Sequence, residues 1–139
     1  MIILDTDHCS VLFDKRTAQH AALTSRLKES FQEIAIPIVA IEEQLRGFLA
    51  YIHRERDLIK QVWPYSRMAN ILKAFSAMTI LDFSQEAAEL TREFRKQRIK
   101  AGTQDLKIAS IAISTESLLL SANLRDFGQV PGLHVENWL

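Results

Sequence analysis

Met1-Ile2-Ile3-Leu4-Asp5-Thr6-Asp7 opens with an unbroken apolar run that stops at an acid. A run with no polar alternation is apolar on both faces, the pattern of a strand buried inside a parallel sheet. Working outward from it, Glu33–Ile38, Met78–Phe83, Leu118–Ser121 and Leu133–Glu136 read as four further strands. Pro37 has no N–H and is expected near a strand end or at an unpaired position. The intervening stretches carry helical periodicity. Residues 7–30 predict helix with a break around Asp14-Lys15-Arg16. Ile41, Leu45, Phe48, Leu49 and Ile52 recur at three- and four-residue spacing and predict a long helix over 39–63. Pro64 is expected to end it, with another helix over 67–77. Ser84 offers an N-cap, with Glu86 in the first turn, for a helix expected to stop at Gly102. Thr103 is expected to cap the next helix, with Asp105 in its first turn. Leu106, Ile108, Ala109, Ile111, Ala112 and Ile113 make that helix apolar nearly all round, so burial is expected. Strands alternating with helices predict an α/β fold with a mostly parallel sheet and helices on both faces.

The 139 residues suit one domain, with no linker, repeat or low-complexity segment to divide them. The apolar share of 47% is enough for a real core. Seventeen basic and 17 acidic residues cancel, so bulk attraction to nucleic acid is excluded and any such contact needs a local basic patch. The single cysteine, Cys9, cannot form an intrachain disulfide, which fits a reducing compartment. The N-terminal residues lack the pattern of a secretory signal, and no run approaches the roughly 20 apolar residues of a membrane span. A soluble cytoplasmic protein is expected.

In open parallel sheets, ligands bind beyond the carboxyl ends of the strands, where strand order reverses. Asp5 falls at the end of the first strand, and Glu42 and Glu43 lie just beyond the second. Asp105 opens the buried helix leading into the fourth strand, and Asp126 follows that strand. Taken singly, each has an ordinary reading: a strand-end turn or helix cap for Asp5, solvated helix residues for Glu42 and Glu43, a first-turn acid for Asp105, a loop acid for Asp126. Together they can meet at one sheet edge. Such a cluster repels itself unless it takes up protons or a cation. An oxygen-only donor set suits Mg²⁺ or Mn²⁺, and no Cys/His spacing suits zinc. The chemistry that follows is hydrolysis of a phosphodiester by metal-activated water.

Four stretches resemble the ordered motifs of PIN-domain nucleases: Ile3-Leu4-Asp5-Thr6-Asp7, Glu43-Gln44-Leu45-Arg46-Gly47, Asp105-Leu106-Lys107-Ile108-Ala109 and Ser121-Ala122-Asn123-Leu124-Arg125-Asp126-Phe127. The stretch from Val130 to Trp138 resembles the tail of the VapC branch, the toxin halves of bacterial toxin–antitoxin pairs. The resemblance spans nearly the whole chain. It implies a single PIN-like nuclease domain over residues 1–139, a three-layer α/β/α sandwich with about five strands. It implies Asp5, Glu43, Asp105 and Asp126 as metal-binding acids, with Asn123 orienting water or phosphate. Glu43 is preferred to Glu42 because Gly47 follows it by four residues, as the motif requires. It further implies an endoribonuclease using Mg²⁺ or Mn²⁺, an RNA substrate, a cognate antitoxin and a homodimer. Two positions depart from the pattern. Asp7 stands where Asn is common, and Ala40 stands where a Ser or Thr would cap the helix, at a cost of about 1 kcal/mol.

Other features are open. Arg92, Arg95, Lys96, Arg98 and Lys100 form a basic run that suits RNA phosphates or a solvated helix face. Arg125 is placed either to hold a phosphate or to balance the acids. Arg46, Arg54, Arg56 and Lys60 alternate with acids as surface charges or partner contacts. The four histidines show no paired metal spacing, and Cys9 is expected to pack in the first helix. Phe48, Leu49, Tyr51, Ile52, Trp63 and Tyr65 are expected in the core, with a dimer interface or antitoxin groove as alternatives.

Rival functions are a haloacid-dehalogenase-type phosphatase using Asp5 as nucleophile and Asp7 as acid/base, a receiver domain, and a non-catalytic PIN-like binding module. The chain is short for the first, and Cys9 stands where Thr or Val is usual. Phe83 and Ser84 follow the third strand where a receiver needs its phospho-accepting Asp. A binding module need not keep the acids.

Overall fold

The computed structural model describes residues 1–139. Five strands form one sheet: β1 (Ile2–Leu4), β2 (Ile34–Pro37), β3 (Thr79–Leu81), β4 (Leu118–Leu120) and β5 (Val135–Glu136). The order is β3-β2-β1-β4-β5, and every pairing is parallel. The chain steps outward from β1 to β2 and β3, then returns across the sheet to β4 and β5. Strand order therefore reverses at β1. Ile2, Ile3 and Leu4 are fully buried at this centre, which is why they read as an uninterrupted apolar run. β3 lies at an edge, and Ile80 is 41% exposed there.

Seven helices connect the strands: α1 (Thr6–Phe13), α2 (Ala18–Glu29), α3 (Ile38–Arg54), α4 (Leu58–Phe75), α5 (Gln85–Lys96), α6 (Thr103–Ser114) and the short α7 (Leu124–Phe127). α1 packs on α2, α3 on α4 and α5 on α6. The right-handed rule for parallel crossovers assigns α1–α4 to one face and α5–α7 to the other, because the direction of travel across the sheet reverses after β3. The expected α/β sandwich is the fold observed. α6 is buried along Leu106 and Ile108–Ala112. The Thr91 hydroxyl lies 2.8 Å from the Ala87 carbonyl and 2.9 Å from Ser110 Oγ, locking α5 against α6 inside the core.

Several local expectations are corrected. The long helical region breaks at Glu55–Asp57, not at Pro64. Asp57 caps α4 by accepting from the Ile59 N–H, and Pro64 sits inside α4, buried, where packing offsets one missing backbone bond. α5 stops at Lys96 rather than Gly102, because Arg98 takes a left-handed conformation (φ 56°). Ser84 does cap α5, accepting from the Ala87 N–H at 3.2 Å. Gly102, not Thr103, is the N-cap of α6. α3 begins at Ile38 directly after Pro37, so Ala40 is a buried first-turn residue and no cap is lost there. Trp63, Tyr65 and Leu49 are 59, 55 and 55% exposed and lie outside the core. α4 packs on α3 and buries only Pro64, Ile71 and Phe75, which leaves its other apolar side chains outward.

Candidate active site

The carboxyl end of β1 positions the first acid. Asp5 follows Leu4, is 7% exposed and caps α1, accepting from the Thr6 N–H at 2.7 Å. Its other oxygen accepts from the buried Ser121 hydroxyl, at the end of β4, also at 2.7 Å. One carboxylate therefore caps a helix and faces the switch point. Burial lifts its pKa from the ordinary 3.8 to about 6, opposed by the Ser121 and Thr6 bonds and reinforced by the charges of Asp7 and Glu43.

The neighbouring glutamates of α3 divide. Glu42 points out to Arg46 and accepts from Gln104 Nε2 at 2.9 Å, and these contacts, with Lys107 nearby, hold its pKa low. Glu43 turns inward and accepts from Thr6 Oγ1 at 2.9 Å. Its charge reaches both Asp5 and Asp105, raising the pKa of each. Asp105, in the first turn of α6, is lifted first by burial, then by Glu43 and Asp126. Asn123 Nδ2 stands 3.3 Å from Asp105 Oδ2 and 3.3 Å from Asp126 Oδ2, donating between them. Arg125 Nε donates to Asp126 Oδ1 at 3.0 Å, so Arg125 balances an acid. That bond, with the one from Asn123, keeps the Asp126 pKa low.

The five residues expected from the sequence thus form one electrostatic chain: Asp5 to Glu43, Glu43 to Asp105, and Asp105 through Asn123 to Asp126. No three carboxylates close into a ready-made coordination cage. The donor set is nonetheless all oxygen. Burial first, and neighbouring acids second, make Asp5 and Asp105 hold their protons more tightly than free carboxylates. Asp5, Glu43 and Asp105 each keep oxygen lone pairs for a cation. Asp126 is the least suited to direct ligation, since its charge is already balanced by Arg125.

Other residues here were not singled out from the sequence. Ser121 Oγ donates to Asp5 and accepts from the Asn123 N–H at 3.0 Å, tying both halves of the cluster. Thr6 orients Glu43. His8 is fully buried, with Nδ1 2.6 Å from Asp7 Oδ1 and Nε2 accepting from the Trp138 N–H at 3.1 Å. Asp7 also accepts from the Ala122 N–H at 2.7 Å. Asp7 therefore braces the turn that carries Asn123, with both oxygens engaged, which disfavours the acid/base role of a dehalogenase-type phosphatase. A hydroxyl ending an apolar strand is the one signal that could have marked Ser121. Cys9 is buried, and burial pushes its thiol pKa up, so it packs as expected.

Acids gathered at the switch point of a five-stranded parallel sheet define a PIN-type nuclease domain. No protein-family model matches the chain. Ribonuclease VapC2 of Haemophilus influenzae is 36% identical over 141 residues, covering 99% of this chain and 97% of the relative. The tRNA(fMet)-specific endonuclease VapC of Salmonella typhimurium is 26% identical, covering 98% and 96%. Among solved structures, VapBC2 from Rickettsia felis, bound to a promoter DNA fragment, superposes with a TM-score of 0.70 at 27% identity, covering all of both chains. DNA-bound VapBC from Salmonella typhimurium gives 0.75 at 23% identity, covering 99% and 98%. The chain belongs to the VapC family of ribonucleases.

Proposed function

We propose that the acidic cluster is the catalytic centre of a Mg²⁺- or Mn²⁺-dependent endoribonuclease, and that the chain is the toxin half of a toxin–antitoxin pair. The observation that carries this reading is the convergence of Asp5, Glu43 and Asp105 from three elements, with Asp5 and Asp105 each lifted by burial and by the charge of Glu43. When bound, the divalent ion activates water and neutralises charge developing on the phosphodiester. Asp5, Glu43 and Asp105 would hold it. Asp126 acts one step out, with Asn123 orienting water or phosphate from between the two aspartates. Ser121 and Thr6 keep Asp5 and Glu43 aimed. RNA is the substrate, as the names of the relatives say of them.

The antitoxin is the expected protein partner. A groove of about 400 Å³ between α1, α3 and α4, lined by Phe13, Phe48, Tyr51, Trp63 and Ile71, supports that partnership. The outward apolar residues of α4 leave surface for a homodimer as well. No helix is long and apolar enough to cross a membrane. A cytoplasmic location fits the single buried thiol.

The test is cleavage of total cellular RNA by the purified chain with Mn²⁺ or Mg²⁺. EDTA, Asp5→Asn, Glu43→Gln and Asp105→Asn should each lower the rate by roughly 10²-fold or more, the scale of losing a preorganised charge at the reacting centre. A variant that keeps full activity loses its assigned role. Cleavage undiminished by EDTA refutes the metal reading.

A further inference from the structure

Arg92, Arg95 and Lys96 lie three and four residues apart on α5 and therefore share one face. Like charges at that spacing repel, and helices usually relieve this by interleaving acids. Glu89 stands three residues before Arg92, and Glu93 three before Lys96, so both could form ion pairs. Neither does. Glu89 accepts from Gln85 Nε2 at 3.0 Å, and Glu93 accepts from Gln97 Nε2 at 3.2 Å. No carboxylate lies within 4.0 Å of any of the three cations.

The same face forms one wall of a cleft of about 510 Å³ between α5 and α6, lined by Phe83, Arg92, Arg95, Lys96, Thr103 and Lys107. Lys107, from the opposite wall, is a fourth cation outside any ion pair, with Nζ over the Phe83 ring 5.8 Å from its centre and Glu42 within reach of its charge. Arg98 and Lys100, from the same basic run, take no part in the lining. α6 carries residues of both regions: Thr103 and Lys107 line the cleft, Asp105 belongs to the acids on a different side of the helix, and Gln104 holds Glu42. One helix, α6, thus carries both a wall of the positive cleft and an acid of the negative centre, in a chain whose overall charge is zero.

We propose that this cleft is a substrate subsite that binds the phosphodiester backbone of single-stranded RNA outside the reacting phosphate, with Phe83 as a platform for one base. The proposal rests on the nuclease reading. Three cations of α5 without carboxylate partners, together with Lys107 over the Phe83 ring, supply the charge for successive phosphates, and the half-buried ring supplies stacking, the combination by which single strands are held without sequence preference. The walls are preset, since the Thr91–Ser110 lock fixes α5 on α6 beneath them.

Binding of a fluorescent single-stranded oligoribonucleotide of about ten nucleotides to the full chain is measured in EDTA across a salt series. Arg92, Arg95, Lys96 and Lys107 are changed to Gln singly and together. In the fourfold variant, binding should weaken by about tenfold or more, and the slope of log K against log salt should flatten by about 0.7 per cation removed. With Mn²⁺, the fourfold variant should raise KM for the long oligonucleotide and leave cleavage of a dinucleotide unchanged. If the unaltered chain cuts RNA but the fourfold variant matches it in affinity, salt slope and KM, the subsite is refuted and the nuclease reading stands. If the substitutions weaken only an acidic protein partner and leave RNA binding intact, the cleft is a protein interface and the proposal fails. If the unaltered chain neither binds nor cuts RNA, the nuclease reading falls first and the subsite with it.

Discussion

Asp5 shows how one side chain serves fold and site together. Its carboxylate caps α1 yet is buried beside other acids, and the ionised form is disfavoured in the folded state. In the unfolded chain the group titrates near 3.8, and in the fold at about 6. Between these values the folded protein binds more protons than the unfolded one, so stability falls as pH rises through that window and stays lower above it. The loss is about 3 kcal/mol at most. In EDTA, Asp5→Asn should therefore unfold at higher urea than the unaltered chain at pH 8, with the gap closing by about pH 4. The Ser121 hydroxyl can rotate to accept from the new amide. Equal midpoints at pH 8 would count against the buried charge. His8 serves the fold alone, with both ring nitrogens satisfied by Asp7 and Trp138. His8→Ala leaves the Trp138 N–H without its partner and should cost about 1–3 kcal/mol in urea unfolding. An unchanged midpoint would mean the imidazole carries no structural bond. The two glutamates at 42 and 43 were indistinguishable by residue type alone. Their partners separate them, because Arg46 and Gln104 draw one outward while Thr6 draws the other in.

At the scale of elements, the site depends on short pieces that periodicity does not reveal. α7 is four residues long, too short for a hydrophobic pattern to mark, yet it carries Asp126 and follows the turn bearing Asn123. Its end is crowded: a Cβ on Gly128 would stand 2.6 Å from the Leu124 carbonyl oxygen, closer than packed atoms allow. Gly128→Ala should therefore shift α7, cost about 1–3 kcal/mol and lower RNA cleavage through displaced Asp126 and Asn123. Normal cleavage with normal thermal stability would show that the turn adapts. α4 illustrates the converse, a long helix whose boundaries the proline misled. Capping by Asp57 and burial of Pro64 outweigh one missing backbone bond, so the break falls earlier.

For the whole molecule, the balance of charge decides the behaviour. Acids gather at the switch point, cations line the cleft between α5 and α6, and the total is zero. A divalent cation binding the folded state should offset the carboxylate repulsion and stabilise it, by about 2.7 kcal/mol at a hundred times its Kd. Thermal melts with and without millimolar Mn²⁺ check this, with Asp105→Asn expected to show a smaller shift. An unchanged melting curve would argue against a metal site formed by these side chains. The sequence alone was enough for the α/β class, the burial of the first strand and of α6, and the delivery of separate acids to one sheet edge. Those follow from local periodicity and from the rule that parallel strands end on the same side. The tertiary structure alone decided that Ser121 bridges Asp5 and Asn123, that His8 clasps Trp138, and that Glu89 and Glu93 leave the cations of α5 unpaired. The first two contacts join residues far apart in sequence, and the third is a choice among equally near partners. Residue type and spacing do not select among such contacts; the packing of one element on another does.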